Sequence, residues 1–154
     1  MSNKIKIGIT IGDINGIGLE VVLKALYHPK ITDLFTPVIY GNGKVMAYHK
    51  NIVEYDDFYF NNINKLHEAS DGKVNVLNIW NENANITLGK PTQISGKYAA
   101  ISLKEAVSDL KNKKLDAVVT APINKEAMQM SEFPHIGHTE FLTQKAGKKE
   151  ALML

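Results

Sequence analysis

Three loops in this sequence carry residue types that could bind a small, negatively charged molecule. Glycines cluster in residues 12–18, which we name the glycine loop, and Lys125 ends the lysine loop, residues 120–125. The histidine loop, residues 135–140, contains His138. Glycine allows the backbone to approach a ligand closely, while lysine and histidine supply positive charge and hydrogen-bond donors. Together these residue types predict a site for a small anion.

The glycine loop fits neither of the standard phosphate-binding motifs. Its pattern G-x-x-x-G-x-G lacks the third glycine of the dinucleotide fingerprint and the Lys-Ser/Thr pair of a P-loop. Two interpretations therefore stay open at this point. The loop is either a tight structural turn or a ligand loop, in which case Asp13, Gly16 and Gly18 would lie against the bound molecule.

The lysine loop is expected to place Lys125 in the first turn of a helix, where the helix dipole is positive. A cation at that position is unfavourable by roughly 0.3–1 kcal/mol when it is exposed. The placement therefore favours an anion in front of Lys125, although a lysine that extends its ammonium into water would explain it equally well. The preceding residue, Asn124, could donate its amide to the same ligand or serve only as a turn residue.

The histidine loop is expected to end at the N-terminus of another helix, because Gly137-His138-Thr139-Glu140 precedes an apolar pair. Free backbone N–H groups at such a terminus attract anions, and His138 and Thr139 would stand beside them. A histidine that only caps or packs is the alternative. His135 and His138 lack a third ligand nearby, so they make a weak zinc site, and we predict no metal site within this chain.

Composition limits the class of protein. The chain has 154 residues, of which 44% are hydrophobic and 22% charged, as in an ordinary folded domain. No apolar run approaches the ~18 residues that a membrane helix needs, so we expect no membrane partner. The absence of cysteine excludes disulfides and thiolate chemistry and fits a reducing compartment, so the expected location is the cytoplasm.

The basic residues of this chain are all of one type. All 18 basic residues are lysine, and the formal net charge is +2. Specific reading of guanine bases and planar recognition of carboxylates or phosphates depend on arginine, which this chain lacks. We therefore expect no nucleic-acid partner. Any anion must be held by lysine, histidine, hydroxyl groups or backbone N–H groups.

Strands and helices alternate along the chain. The strand patterns cover residues 4–10, 36–40, 74–80, 115–120 and 151–154, and the helix patterns begin near residues 19, 44, 96, 122 and 138. This alternation predicts an α/β fold with a parallel or mixed sheet covered by helices on both faces. Ligands of such sheets bind beyond the carboxyl ends of the strands, which is where the three loops would lie. The apolar segment at residues 151–154 indicates a fold that continues.

The motifs in combination resemble the 4-hydroxythreonine-4-phosphate dehydrogenase family of pyridoxal-phosphate biosynthesis. The resemblance runs through segments in the same order and spacing, namely Gly12-Asp13-Ile14-Asn15-Gly16-Ile17-Gly18-Leu19-Glu20, Ser95-Gly96-Lys97, Val119-Thr120-Ala121-Pro122-Ile123-Asn124-Lys125-Glu126 and Gly137-His138-Thr139-Glu140-Phe141-Leu142. Members of the family are about twice this length. The resemblance therefore implies that residues 1–154 are the N-terminal portion of a two-domain dehydrogenase with a truncated fold like that of isocitrate and isopropylmalate dehydrogenases.

The resemblance also implies an activity. It is the NAD- or NADP-dependent, metal-assisted oxidation of 4-hydroxy-L-threonine 4-phosphate to 2-amino-3-oxo-4-phosphooxybutanoate, which decarboxylates to 3-amino-2-oxopropyl phosphate. His138 and Thr139 would contact the substrate, and Lys125 would contribute electrostatically to catalysis. The ligands of the divalent cation, which would be Zn, Mg or Co, would lie beyond residue 154. A homodimer is expected, and the 154 residues alone are expected to be inactive.

Departures from the family pattern leave alternatives open. The usual family loop reads Gly-Asp-Pro-Ala-Gly-Ile-Gly-Pro-Glu, so Ile14, Asn15 and Leu19 differ and two prolines are absent. The same chemistry on D-threonate or D-erythronate 4-phosphate fits the motifs equally well. A non-catalytic α/β module that binds an anion is the alternative of a different class. It becomes the better interpretation if no histidine-bearing second half follows residue 154.

Overall fold

A computed structural model describes residues 4–153. The strands β1 to β5 are Lys6–Thr10, Thr36–Gly41, Phe60–Ile63, Val74–Asn78 and Ala117–Thr120. The helices α1 to α6 are Gly18–Leu26, Ile31–Leu34, Gly43–Ile52, Gln93–Lys111, Lys125–Met130 and His138–Lys145. Across the residues so described, none of the helices combines the length and the apolar character needed to cross a membrane.

The strands form one parallel sheet in the order β3-β4-β2-β1-β5. The chain leaves β1 towards β2 on one side, and after β4 it crosses to place β5 on the other side of β1. β1 and β5 pair with Thr10 opposite Thr120, so the carboxyl ends of these two strands lie side by side. Such a change of direction is where open α/β sheets bind ligands.

The core explains why helices cover both faces of the sheet. On one face, Ile9, Ile39 and Val76 are buried against apolar side chains of α1 and α3, such as Leu23 and Met46. The opposite face is covered by α4, which lies against β1, β2 and β5. The buried residues of this second cluster are Val38, Tyr40, Ile63, Leu77, Ala106 and Leu115. Alternate side chains of each strand point to opposite faces, so both faces need cover. The predicted α/β fold is confirmed.

Several predicted boundaries differ from the structure because side chains act as caps. Helix α4 begins at Gln93 rather than at Gly96, since Thr92 Oγ1 accepts a hydrogen bond of 3.1 Å from Ser95 N. The strand predicted over residues 74–80 ends at Asn78, whose Oδ1 accepts from Gly43 N at 2.8 Å. Local polar contacts of this kind set an element's end more sharply than the apolar pattern does.

Two strand predictions failed for the same physical reason. β3 was not predicted, because Asn61 and Asn62 lack strand propensity, yet it pairs with β4 and buries Ile63. The predicted buried strand at residues 151–154 is wrong for residues 151–153, which are exposed and belong to no strand, while Leu154 lies outside the described residues. A strand requires a neighbour to pair with, and apolar composition does not supply one.

Ser102 of α4 ties the helix to the sheet at the carboxyl end of β1. Its fully buried hydroxyl accepts a hydrogen bond from Ile11 N at 3.1 Å and donates one to Tyr40 O at 2.6 Å. Ile11 directly follows β1, and Tyr40 is the penultimate residue of β2. One side chain therefore satisfies two buried backbone groups of different strands.

Replacing Ser102 with alanine is expected to destabilise the protein by about 1–3 kcal/mol, because a buried N–H and a buried carbonyl lose their partner. The free energy of unfolding is measured by urea denaturation. Ser108→Ala is the matched control, since Ser108 is exposed on the same helix. A change of less than about 0.5 kcal/mol for Ser102→Ala, no larger than an ordinary surface substitution, would contradict this role.

Candidate functional site

The glycine loop and the lysine loop are joined by their backbones at the ends of β1 and β5. Asp13 N donates a hydrogen bond of 2.9 Å to Pro122 O. Gly12 makes this approach possible, because its φ is +64° and a Cβ atom there would lie 2.2 Å from Pro122 O. Gly12 therefore has a structural role in holding a second loop, and whether the glycine loop also contacts a ligand stays a prediction.

The remaining predicted residues of the glycine loop are close to the same junction. Asp13 is buried, and its Oδ1 accepts a hydrogen bond of 2.9 Å from Asn15 N, so the carboxylate stabilises the turn from inside. Gly16 N donates to Asp13 O at 3.1 Å. Gly18 begins α1 with its Cα against Pro122, where a Cβ would lie 3.2 Å from the ring Cδ. Contact of these residues with a ligand stays a prediction.

Asn124 and Lys125 form the start of α5. Asn124 Oδ1 accepts a hydrogen bond of 3.0 Å from Ala127 N, which makes Asn124 the N-cap, and the helix begins at Lys125. The helix predicted to begin near residue 122 begins three residues later, because Pro122 belongs to the loop that bonds Asp13. The expected position of Lys125 in the first turn is confirmed.

Helix α4 supports the two helices that carry the candidate residues. A buried cluster joins Leu103 of α4 to Met128 of α5 and Phe141 of α6. The backbones of α4 and α5 touch at Gly96, where a Cβ atom would lie 1.8 Å from Ala127 O. Any larger residue at Gly96 would push α5 away, so the glycine of the Ser95-Gly96-Lys97 segment fixes the distance of Lys125 from α4.

The lysine loop and the histidine loop meet at the N-terminus of α6. This helix begins at His138 with Gly137 as N-cap, and no side chain caps it. Lys125 Cε lies 3.8 Å from the position that a Cβ atom on Gly137 would occupy, and Glu140 Oε2 lies 3.6 Å from the same point. A lysine side chain therefore reaches the positive end of α6, where backbone N–H groups and a cation together favour an anion.

His138 and Thr139 occupy the first turn of α6 with different surroundings. The Nε2 atom of half-buried His138 is itself buried and has no hydrogen-bond partner among the residues described. Burial lowers the pKa of His138 from its ordinary value, because the charged imidazolium loses hydration. Thr139 Oγ1 lies 3.7 Å from Met153 Sδ, which is a weak contact. Buried polar atoms normally have a hydrogen-bond partner, and at this site His138 Nε2 lacks one.

His135 lies among aromatic side chains. Its ring packs against the rings of Phe133 and Phe141, with centroid distances of 5.2 and 5.3 Å. Over residues 4–153 no three histidine, aspartate or glutamate side chains come close enough together to hold a metal ion. The residues described therefore offer no three-ligand set for a divalent cation, and the location of metal ligands elsewhere stays a prediction.

The structure thus brings the three loops together at the end of the sheet where the carboxyl termini of the strands lie. The glycine and lysine loops meet at Pro122, and the lysine and histidine loops meet where Lys125 reaches Gly137. In the sequence Asn15 is only a departure from the family pattern, whereas in the structure it is 2% exposed and bonds the segment that leads into α4. No signal in a single sequence distinguishes such a buried asparagine from an ordinary turn residue.

Comparison with known proteins places the chain in a family. Residues 33–154 match the family described as pyridoxal phosphate biosynthetic protein PdxA. The chain is 39% identical over 153 residues to the 4-hydroxythreonine-4-phosphate dehydrogenase of Bacteroides thetaiotaomicron, covering 99% of this chain and 42% of the relative. It is 32% identical over 160 residues to a Clostridium botulinum protein provisionally named D-threonate 4-phosphate dehydrogenase, covering 100% of this chain and 47% of the relative.

A solved structure agrees with the fold. The crystal structure of a 4-hydroxythreonine-4-phosphate dehydrogenase from Burkholderia phymatum superposes with a TM-score of 0.86 at 32% identity, over 96% of this chain and 45% of that one. The chain therefore spans less than half the length of the relatives that it matches. On the match over residues 33–154 and these identities, the chain belongs to the PdxA family of pyridoxal phosphate biosynthetic proteins.

Proposed function

We propose that this chain is the N-terminal portion of a two-domain dehydrogenase that oxidises 4-hydroxy-L-threonine 4-phosphate with NAD or NADP. The product, 2-amino-3-oxo-4-phosphooxybutanoate, is a β-keto acid and decarboxylates to 3-amino-2-oxopropyl phosphate. The observation that carries the proposal is the meeting of Lys125 with Gly137 at the start of α6, whose first residue, His138, has an unpartnered Nε2. Membership of a dehydrogenase family supports the reaction class.

The substrate's negative charge explains why Lys125 stands where the helix dipole disfavours it. Lys125 occupies the first position of α5 and extends towards the first turn of α6. Two positive helix ends and a lysine favour an anion between them, and the Glu140 carboxylate near Gly137 supplies only part of that negative charge in the proposed complex. In the proposed complex, an anionic group of the substrate accepts hydrogen bonds from backbone N–H groups of α6 and is neutralised by Lys125.

His138 is suited to hold a substrate oxygen. A lowered pKa keeps its imidazole neutral near pH 7, so one ring nitrogen donates and the other accepts. The buried Nε2 gains its missing partner when substrate binds, which contributes more than a hydrogen bond exchanged with water. The Thr139 hydroxyl, whose contact with Met153 is weak, is the second group proposed to contact the substrate.

The cation and the nicotinamide enter the proposal from the resemblance to the family. A divalent ion, Zn, Mg or Co, would stabilise the alkoxide that forms as hydride leaves the carbinol. Because residues 4–153 offer no group of three metal ligands, no step of that chemistry is assigned to them. A homodimer and a location in the cytoplasm belong to the same proposal.

A second substrate class deserves a direct comparison, because a relative at 32% identity carries the provisional name D-threonate 4-phosphate dehydrogenase. D-Threonate and D-erythronate 4-phosphates are also phosphorylated hydroxy acids. They would place the same phosphate and hydroxyl groups against Lys125 and His138. The residues on this edge of the sheet recognise an anion and a hydroxyl, which the two substrate classes share, so turnover must distinguish them.

Sulfate is expected to raise the pKa of His138 when it binds. Without an anion, burial holds that pKa below the ordinary value of about 6.5. A nearby anion favours the imidazolium, and by linkage sulfate should bind more tightly as pH falls. The NMR titration of the His138 ring, with and without sulfate, measures both effects. The same His138 pKa in both samples would show that the anion binds elsewhere.

The lowered pKa also has a consequence for folding without an anion. Because His138 binds its proton more weakly in the folded protein than in the unfolded chain, protonation favours unfolding. Its contribution to the free energy of unfolding is complete above about pH 7 and declines as pH falls through 6.5 towards the folded pKa. Below that pKa the loss is constant.

Replacement of His138 by alanine in the complete protein is expected to lower kcat/KM for 4-hydroxy-L-threonine 4-phosphate by about 10- to 100-fold. This corresponds to the loss of a hydrogen bond to a charged substrate. Folding should change little, because the missing imidazole atom has no protein partner. Formation of NADH or NADPH measures the rate. His67→Ala, in an exposed turn outside the three loops, is the matched control.

Three outcomes of this assay decide between the hypotheses. Unchanged kinetics for His138→Ala would remove His138 from the substrate site. Turnover of only D-threonate or D-erythronate 4-phosphate by the unaltered protein would transfer the assignment to the second substrate class. Absence of turnover with every substrate, nucleotide and cation would favour a non-catalytic module. The isolated 154 residues are expected to be inactive, and any turnover by them would contradict the proposal that metal ligands lie beyond residue 154.

A further inference from the structure

We propose that Asn15 is a positioning residue, which holds the glycine loop in register with the helix that supports Lys125. The inference rests on the proposed function, because register matters only if both loops serve one ligand. The side chain of Asn15 bonds none of Lys125, His138 and Thr139. It acts through the backbone of residues 87–92, which we name the α4 entry segment, and through the N-cap of α4.

The hydrogen bonds of Asn15 use nearly every polar atom that the residue has. Its Oδ1 accepts from Thr87 N at 2.8 Å, and its Nδ2 donates to Lys90 O at 2.8 Å and to Thr92 Oγ1 at 3.1 Å. In the backbone, Asn15 O accepts from Gly89 N at 2.7 Å. The residue is 2% exposed, so none of these bonds is exchanged freely with water. Four contacts therefore attach one loop residue to the α4 entry segment.

The glycine loop needs such an attachment. It contains three glycines and no proline within residues 12–18, so little in its covalent structure restricts the backbone. Ordering each residue of a flexible loop costs about 1–2 kcal/mol of conformational entropy. Besides Asn15, the buried ring of His49 donates from Nε2 to Ile14 O at 2.8 Å, which fixes the neighbouring peptide.

The attachment at Thr92 carries the effect to Lys125. Thr92 Oγ1 accepts hydrogen bonds from both Asn15 Nδ2 and Ser95 N, so the glycine loop is bonded to the N-cap of α4. One residue after Ser95, Gly96 sets the close contact between α4 and α5. Asn15 thus links the glycine loop to the same turn of α4 against which the helix of Lys125 rests.

The test compares Asn15→Ala with Asn15→Asp in the complete protein. Asn15→Ala removes all three side-chain bonds, and a shift of about 1 Å between the loops would lower kcat/KM by about 100-fold. Asn15→Asp keeps the acceptor for Thr87 N and can accept from the Thr92 hydroxyl, so we expect a loss of about 10-fold. The loss should fall on kcat rather than KM, because Lys125 and His138 are unchanged.

Hydrogen exchange supplies a readout that does not depend on activity. In Asn15→Ala the amides of residues 12–18 and of the α4 entry segment should exchange faster together, while those of β1 and β2 keep their rates. Asn85→Ala is the matched control, since Asn85 is an exposed asparagine just before that segment. It should leave both the kinetics and the exchange rates unchanged.

The outcomes separate this inference from the proposed function. Lack of turnover by the unaltered protein overturns the proposed function, while exchange still decides whether Asn15 holds the two segments together. Normal kcat in Asn15→Ala, or faster exchange in only one of the two segments, overturns the positioning role. If Asn15→Ala fails to fold, Asn15→Asp decides by the same criteria. Global unfolding of both variants would also overturn it, because Asn15 would then support the whole fold.

Discussion

The hydrogen bond from Asp13 N to Pro122 O is the contact on which the candidate site depends. It joins the loops that follow two neighbouring parallel strands, and it forms only because Gly12 adopts a left-handed conformation with no Cβ atom in the way. Parallel strands bring loop residues near one another without fixing their relative height above the sheet. This backbone contact fixes that height, and Lys125 follows it by three residues. The contact therefore fixes the position of the lysine relative to the glycine loop.

Helix α4 holds the other parts of the candidate site in position. Its polar side chains bond the end of β1 through Ser102 and the glycine loop through Thr92, while Gly96 admits the backbone of α5. The Ser102 bond is buried and the Thr92 bond is part-buried, so loss of either would cost free energy. The helix combines ordinary apolar packing with three positions at which only a small or hydroxyl-bearing residue serves. The close contact at Gly96 gives a physical reason for the family resemblance through Ser95-Gly96-Lys97.

The sequence predicted the parts of this architecture that depend on local pattern. A helix expected to begin near residue 122 placed Lys125 in a first turn, and alternation of strands and helices predicted the covered sheet. The missing parts depend on partners remote in the chain. β3 forms because β4 lies beside it, and Asn15 is buried because residues 87–92 return over the glycine loop. Residues 151–153 show the converse, an apolar segment with no strand to pair with. Propensity describes a segment, whereas burial and pairing describe its neighbours.

The central claim is that the glycine, lysine and histidine loops form one edge at which a small anion binds. A crystal structure of the protein soaked with inorganic phosphate tests it most directly. The account predicts phosphate within hydrogen-bond distance of both Lys125 Nζ and backbone N–H groups in the first turn of α6, with His138 Nε2 facing it. Phosphate bound only at other lysines, or a Lys125 side chain directed away from α6 with the first turn of that helix empty, would contradict it.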